Sequence, residues 1–323
     1  MIQLTIGIPT YNRALKLKNL LTTVNNQISN INNPKIELII SNNNSEDNTK
    51  EVIEKFDFSS KIKLKIINQK INIGFDANVN SILNSSSGIY TWTLSDDDEL
   101  KHEAIQEIYE VTQSYDNYKF IFINYLISTA NENKISRYES NLSKEVNSID
   151  LLSTIDYSNS FISSCIFKTS EWNKIDVVPY LNSGWIHLFM SREILNEGKS
   201  FIIGKPLLLQ KEREDYPEVY YGDDLPVNFN VYYNSNRFFF SLNNYKKTPS
   251  HDYNSSYFLA YNDIKHIIYY KLTRDRYRFI ELVKIIKLIS EFRKFNLINL
   301  VSLFLLFTPN IIFNSLRKFY KLF

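Results

Sequence analysis

Apolar and polar positions alternate in blocks along the first third of the chain. A short apolar run, Leu4 to Ile8, is closed by Pro9 and the polar turn TYNR. Leu17, Leu20, Leu21, Val24 and Ile28 then recur at helical spacing, which predicts a helix over Ala14 to Gln27. Ile36 to Ile40 reads as a second strand. It ends in SNNNSEDNT, where Ser45 or Asp47 is an N-cap candidate for a helix carrying Val52, Ile53 and Phe56 on one face. Lys63 to Ile67 predicts a third strand, Asp76 to Leu83 a helix and Tyr90 to Leu94 a fourth strand. His102 to Gln113 reads as a helix and Phe120 to Tyr125 as a fifth strand. Alternation of this kind with short turns predicts right-handed crossovers and a mainly parallel sheet, an α/β fold. Ligands of such sheets gather beyond the carboxyl ends of the strands. Three polar loops fall there: TYNR, SNNNSED and, after the fourth strand, SDDDE.

The middle of the chain is less regular, with strands expected at Phe161 to Phe167 and Ser200 to Gln210 and a helix at Ile186 to Asn196. From about Ser255 the sequence is helical and apolar with basic punctuation. The 323 residues are 44% hydrophobic and 22% charged, enough to bury a sizeable core. A net charge of +2 gives no footprint for nucleic acid. One cysteine, Cys165, leaves no disulfide within the chain and no Cys-based metal site, which fits a cytoplasmic protein. The N-terminus reads as a strand, not a signal peptide.

Leu94 to Leu100, LSDDDEL, places Asp96, Asp97 and Asp98 side by side at the end of a buried strand. Unpaired, such carboxylates repel and raise one another's pKa. Mg²⁺ or Mn²⁺ supplies the missing charge, held by one or two carboxylates with water and substrate phosphates completing the shell. The competing reading is a solvated loop whose acids favour the N-terminal end of the next helix. Placement opposite two other polar loops turns the balance to a metal–diphosphate site.

TIGIPTYNR, ELIISNNNSEDNT, NIGFDANVN and GIYTWTLSDDDEL, in this order and spacing, resemble family 2 glycosyltransferases of the GT-A fold, in the abequosyltransferase-like branch. The resemblance implies a GT-A catalytic domain over residues 1–225, with a nucleotide-sugar half at 1–125, an acceptor half at 126–225 and a helical C-terminal region at 226–323. It implies transfer from a nucleotide-sugar donor to a bacterial surface glycan, of capsule, O-antigen or lipid-linked oligosaccharide type. Pro9, Thr10, Tyr11 and Arg13 would line the base and ribose, and Asp76 would belong to the donor site. Asn42 and Asn43 stand where the family presents acids to the base; an amide can still hydrogen-bond a base edge. Asp97 matches the last acid of the family's D-x-D motif and is the expected principal metal ligand; Asp96 would reach the ribose or, through water, the metal, and Asp98 would contact the sugar or support the ligands from behind. Ser95 replaces the motif's first acid.

Inverting transfer needs a base for the acceptor hydroxyl. The family places an acid at the start of a helix that corresponds here to LNSGWIHLFMSREIL, which offers His187 instead. His187 is read either as that base or as a buried structural histidine. Asp176 is the alternative base, and equally a turn residue. Trp185 suits a sugar face or simple core packing. In QKERED, Arg213 is the candidate for stabilising the departing diphosphate, with Lys211 beside it, the competing reading being a solvated loop paired with Glu212, Glu214 or Asp215; YPEVYYGDDLP is a candidate closing segment or an ordinary surface loop. His102 reads as a solvated helix-start residue.

The run LINLVSLFLLF is shorter than the roughly 20 apolar residues of a membrane span. Arg317, Lys318 and Lys321 interleave with Phe313, Leu316 and Phe319, as in an interfacial amphipathic helix. The expectation is a peripheral protein at the inner face of the cell membrane, with helix packing or an oligomer contact as the other use of these residues. A GT-A scaffold protein that has lost its chemistry is the rival to an enzyme, and the replaced acids are its support.

Overall fold

The computed structural model describes residues 1–114, 117–128, 134–155, 158–181 and 183–210. Its first half runs β1 (Ile2–Thr10), α1 (Ala14–Asn30), β2 (Ile36–Asn42), α2 (Thr49–Lys55), β3 (Lys63–Asn68), α3 (Phe75–Ser85) and β4 (Gly88–Thr93). The second half runs β5 (Glu99–Leu100), α4 (Ala104–Thr112), β6 (Phe120–Ser128), β7 (Lys134–Ser136), β8 (Lys144–Asn147), α5 (Ser148–Thr154), β9 (Cys165–Lys168), α6 (Thr169–Trp172), α7 (Ile186–Ile194) and β10 (Lys199–Gln210).

β1 is buried from Leu4 to Thr10, as a central strand covered on both faces must be. It pairs in parallel with β2 and β4, and β3 lies outside β2. The sheet order is β3-β2-β1-β4-β9-β6-β10-β5. β9 is antiparallel to β4 and β6, while β6 and β10 are parallel. The carboxyl ends of β1, β2, β4 and β6 and the amino end of β9 therefore share one edge. The α1 face predicted from spacing is the buried one: Leu17, Leu20, Leu21, Val24 and Ile28. Across β9 the core is aromatic, with Phe167 edge-on to both Phe120 and Trp172 at 5.1 and 4.9 Å. Gly7 lets α3 lie directly on β1, since a Cβ there would sit 2.2 Å from the Ile82 side chain.

Two expectations shift. The strand foreseen over Phe161 to Phe167 begins only at Cys165, because Ile162–Ser164 forms a 3₁₀ turn. There the Ser164 hydroxyl donates to the Phe161 carbonyl at 2.6 Å, an alternative to the strand ladder. The helix foreseen from His102 begins at Ala104, behind Glu103 at φ +62°. Between the acidic cluster and α4, Glu99–Leu100 adds a short antiparallel strand on β10.

At the opposite edge, Glu37 at the start of β2 is 2% exposed. It accepts from the Thr5 hydroxyl (2.8 Å), the Ser87 N–H (2.9 Å) and the Ser87 hydroxyl (2.7 Å), with the Lys63 ammonium at 3.1 Å. Burial pushes its carboxyl up, but these donors outweigh it and leave the pKa below the ordinary value. A depressed folded pKa stabilises above the unfolded value near 4.3 and is lost as pH falls through the folded one. Glu37→Leu is expected to cost about 2–4 kcal/mol by urea unfolding at pH 7, with a smaller cost at pH 3.

Arg213, Lys211, the tyrosine-rich segment, the boundary near residue 225 and the basic-apolar C-terminal helices lie outside the described residues. No helix of the described residues is long and apolar enough to cross a membrane.

Candidate active site

The loops after β1 and β2 are laced together. The Asn12 N–H donates to the Ser45 hydroxyl (2.9 Å), and the Glu46 N–H donates to the Asn12 side-chain oxygen (2.8 Å). The Arg13 N–H donates to the Thr49 hydroxyl (3.1 Å), and the Ala14 N–H to Asp47 (3.1 Å). Asp47 also accepts the Thr49 N–H at 2.9 Å, at the start of α2. Asn12 and Asn44 hold φ of 52° and 62°, a left-handed conformation that asparagine tolerates.

This lacing also engages the two asparagines. Asn42 accepts the Ser45 N–H (3.0 Å) and donates to Asn68 (3.4 Å). Asn43 donates to Asn72 (2.8 Å) and to the Gly74 carbonyl (3.3 Å), and accepts the Ile73 N–H (2.9 Å). Both are buried. Their amides brace the loops in this structure. Pro9 and Thr10 are buried at the end of β1, while Tyr11 is 39% exposed at the loop tip.

The acidic cluster faces this frame. Arg13, expected beside the base and ribose, instead sets its guanidinium on two carboxylates: Asp96 at 3.4 Å and Asp97 in a closer contact. The Ser95 hydroxyl donates to the other Asp97 oxygen at 2.7 Å. Asp98 accepts the Ser163 hydroxyl. That same hydroxyl accepts the Ser95 N–H at 2.9 Å, and the Ser163 carbonyl accepts the Trp92 indole N–H at 2.7 Å. Repulsion within SDDD is thus relieved by one guanidinium and by splitting the acids between two partners. Ser163 belongs to the site although sequence reasoning passed over it; the only signal was a serine-rich stretch, SNSFISSC.

Asp96 is 4% exposed, and burial raises its pKa to about 6 against the pull of Arg13. The neighbouring Thr10 hydroxyl tempers the rise by hydrogen bonding, although the geometry is poor: Thr10 Oγ1 and Asp96 Oδ2 are both buried with no well-formed partner. The sign is opposite to that of Glu37. A raised folded pKa makes the charged form costly at pH 7, and folding gains as pH falls through 6 toward 4. Binding that needs the carboxylate loses instead. Affinity for a Mn²⁺–nucleoside diphosphate is expected to fall about tenfold per pH unit below pH 6, checked by calorimetry from pH 7.5 to 5.

Among the described residues no three His, Cys, Asp or Glu side chains form a closed metal cage. The donor set fits a hard cation held partly by its substrate: two adjacent carboxylates, one with a buried unpartnered oxygen. Asp97 and Asp96 are the residues that would hold Mg²⁺ or Mn²⁺.

The start of α7 lies at the same edge of the sheet. Asp76, on the first turn of α3, is 2% exposed. It accepts the Gly184 N–H (2.7 Å), the Ile186 N–H (3.2 Å) and the Ser183 hydroxyl (3.2 Å). Ser183 in turn accepts the Trp185 N–H at 3.0 Å. Asp76 therefore caps α7 from a distant helix.

His187 is 3% exposed, and its Nε2 donates to the Ser160 carbonyl at 3.1 Å. Burial lowers its pKa to about 4. Enclosure and weak basicity favour the structural role of His187 over that of the base for the acceptor hydroxyl. Asp176 is an exposed turn residue accepting the Val178 N–H at 3.1 Å. His102 is solvated, its side chain 90% exposed.

Residues 5–167 match the sequence family Glycosyl transferase family 2. Abequosyltransferase RfbV of Salmonella typhimurium is 27% identical over 227 residues, covering 64% of this chain and 66% of that protein. GalNAc(5)-diNAcBac-PP-undecaprenol beta-1,3-glucosyltransferase of Campylobacter jejuni is 27% identical over 232 residues, covering 72% and 60%. The chain thus spans just under two thirds of the length of these curated relatives. Among solved structures, S. aureus TarS 1-349 in complex with UDP-GlcNAc superposes with a TM-score of 0.59 at 17% identity, covering 90% of this chain and 80% of that one. Mannosyltransferase PcManGT from Pyrobaculum calidifontis, in complex with GDP-Man and Mn2+, gives 0.51 at 12%, covering 76% and 66%. At these identities the likeness is one of fold, and the fold is GT-A.

Proposed function

The chain belongs to Glycosyl transferase family 2, and we propose that it moves a sugar from a nucleoside-diphosphate donor to a hydroxyl of a bacterial surface glycan, with inversion at the anomeric carbon. The observation that carries this reading is the Arg13–Asp96–Asp97 group, set where the loops after β1, β2 and β4 converge. A guanidinium matches phosphate oxygens, and the two carboxylates suit a divalent ion riding on the same diphosphate. Mg²⁺ or Mn²⁺, when bound, supplies charge neutralisation for the departing nucleoside diphosphate. Ser95 orients Asp97, and Ser163 turns Asp98 toward the acceptor half, where it meets the sugar.

Both curated relatives are named as sugar transferases, and the name of the second describes an acceptor on undecaprenol diphosphate. A lipid-linked acceptor and a peripheral position at the inner face of the membrane accord with the basic-apolar sequence from Leu297 to Lys321. Arg213 is assigned as a further cation for the leaving group. The scaffold alternative draws on Asn42, Asn43 and Ser95 and on the lack of an acid at the base position; the support from Ser95 is weakened by its bond to Asp97, which keeps it within the acidic site.

The test incubates the full chain with Mn²⁺ and a panel of UDP-, GDP-, CDP- and dTDP-sugars, with and without a lipid-linked glycan fraction. Nucleoside diphosphate release and the anomeric NMR signals of the product are followed. One donor cleaved, with its anomeric configuration inverted in the product, is the expected result. Binding without cleavage of any donor would support the scaffold reading, and a retained configuration would refute inversion.

A further inference from the structure

Asp96 and Asp97 offer four carboxylate oxygens, and three of them are engaged. The Arg13 guanidinium lies on Oδ1 of Asp96 at 3.4 Å and on Oδ2 of Asp97 in a closer contact. The Ser95 hydroxyl donates to Oδ1 of Asp97 at 2.7 Å. The fourth, Oδ2 of Asp96, is buried with no well-formed partner. The Arg13 side chain is 34% exposed, against 5% for Asp96 and 13% for Asp97, so the guanidinium is the outermost member of the group. Lys16, one turn further along α1 and exposed, adds a second positive charge that is felt at Asp96.

Two carboxylates are thus met by two side-chain cations, and a bare divalent ion would bring its charge to a place already neutralised. A carboxylate oxygen has room for more than one donor, but a guanidinium and a divalent ion on the same oxygen repel. A diphosphate alters that balance. Its oxygens suit the fork of a guanidinium, and its negative charge offsets the cation that the carboxylates must accept in exchange. The main chain permits the swap without loosening. The Arg13 N–H donates to the Thr49 hydroxyl at 3.1 Å and the Ala14 N–H to Asp47 at 3.1 Å, so the backbone stays tied while the half-exposed side chain moves.

We infer that Arg13 is an exchangeable counter-ion, which holds Asp96 and Asp97 against free divalent metal and yields them when the metal comes with a diphosphate on which the guanidinium pairs anew. The inference rests on the reading of this group as the donor site and adds an interdependence to it. Metal and nucleoside diphosphate each raise the affinity for the other by the same factor, and Arg13 is the residue that links them.

The test titrates Mn²⁺ alone into the full chain and follows the free ion by electron paramagnetic resonance, for wild type, Arg13→Ala and Arg13→Lys, with a thermal melt of each. Arg13→Ala should bind Mn²⁺ alone about tenfold more tightly than wild type. The same variant should bind the nucleoside diphosphate with Mn²⁺ about tenfold more weakly, because the contacts to phosphate are gone. Arg13→Lys, which keeps the charge without the fork, should fall between the two in the Mn²⁺ titration. A merely disturbed loop would weaken both ligands and lower the melt, so the opposite signs are the mark of the exchange. Free Mn²⁺ bound no more tightly by either variant than by wild type would overturn it. Failure of every nucleoside diphosphate to bind wild type would refute the donor reading instead, and tighter Mn²⁺ binding by Arg13→Ala would even then support the guarding of the carboxylates by Arg13.

Discussion

Asp97→Asn is expected to lower turnover of the nucleotide sugar by about 10²–10³-fold while leaving the fold in place. Asp97 stands between Arg13 and Ser95, each on a different oxygen. An asparagine of the same shape keeps an oxygen for the Ser95 hydroxyl. It turns an NH₂ group toward the Arg13 guanidinium, so two donors meet and the charge that would hold a cation is gone. The side chain is only 13% exposed, yet it lies in a loop and not in the sheet, so the change in unfolding free energy should stay near 1 kcal/mol. Steady-state release of nucleoside diphosphate, read beside a thermal melt, separates the two effects. Turnover within threefold of wild type would show that the acid does not serve the donor. Ser95→Ala, which removes the orienting bond alone, should lose much less.

The second large effect is on stability. Asp76→Ala is expected to cost about 3–5 kcal/mol, because it strands one buried and one part-buried N–H group and a buried hydroxyl in one step. Asp76→Asn should cost less, since its oxygen still accepts one donor while its NH₂ opposes another. Urea unfolding gives the magnitude. Hydrogen exchange gives the place: protection should fall first at Gly184 to Ile194, the loop and helix that the carboxylate caps. Unchanged protection there would mean that α7 is held by its apolar face alone.

The difference between these two aspartates shows what a sequence conveys. β1 through β4 and the helices between them were legible because each element carries its own period, and Leu17, Leu20, Leu21, Val24 and Ile28 are an apolar stripe whatever surrounds them. The convergence of TYNR, SNNNSED and SDDDE followed from topology alone. The partners did not. Arg13 meets Asp97 across 84 residues, Ser163 meets Asp98 across 65, and Asp76 meets Gly184 across 108. No local pattern marks such pairs. His187 was read from its place in a motif, and a motif position says nothing of burial, which is what lowers its basicity. Likewise the amides of Asn42 and Asn43 were open to a base on paper and are bonded to Ser45, Asn68, Asn72, Ile73 and Gly74 in the fold. The two serines of ISSC hid a 3₁₀ turn inside an apolar run, because their hydroxyls offer the backbone bonds that the spacing of apolar residues does not reveal.

The proposal that Arg13, Asp96 and Asp97 would hold a nucleoside diphosphate together with a divalent cation is tested most directly by calorimetry. UDP, GDP, CDP and dTDP are titrated into the full chain with Mn²⁺ and again with EDTA. The prediction is that one of them binds with Mn²⁺, weakens at least tenfold in EDTA, and weakens similarly in Arg13→Ala and Asp97→Asn. Binding indifferent to EDTA and to both substitutions, or no binding by any of the four, would contradict it.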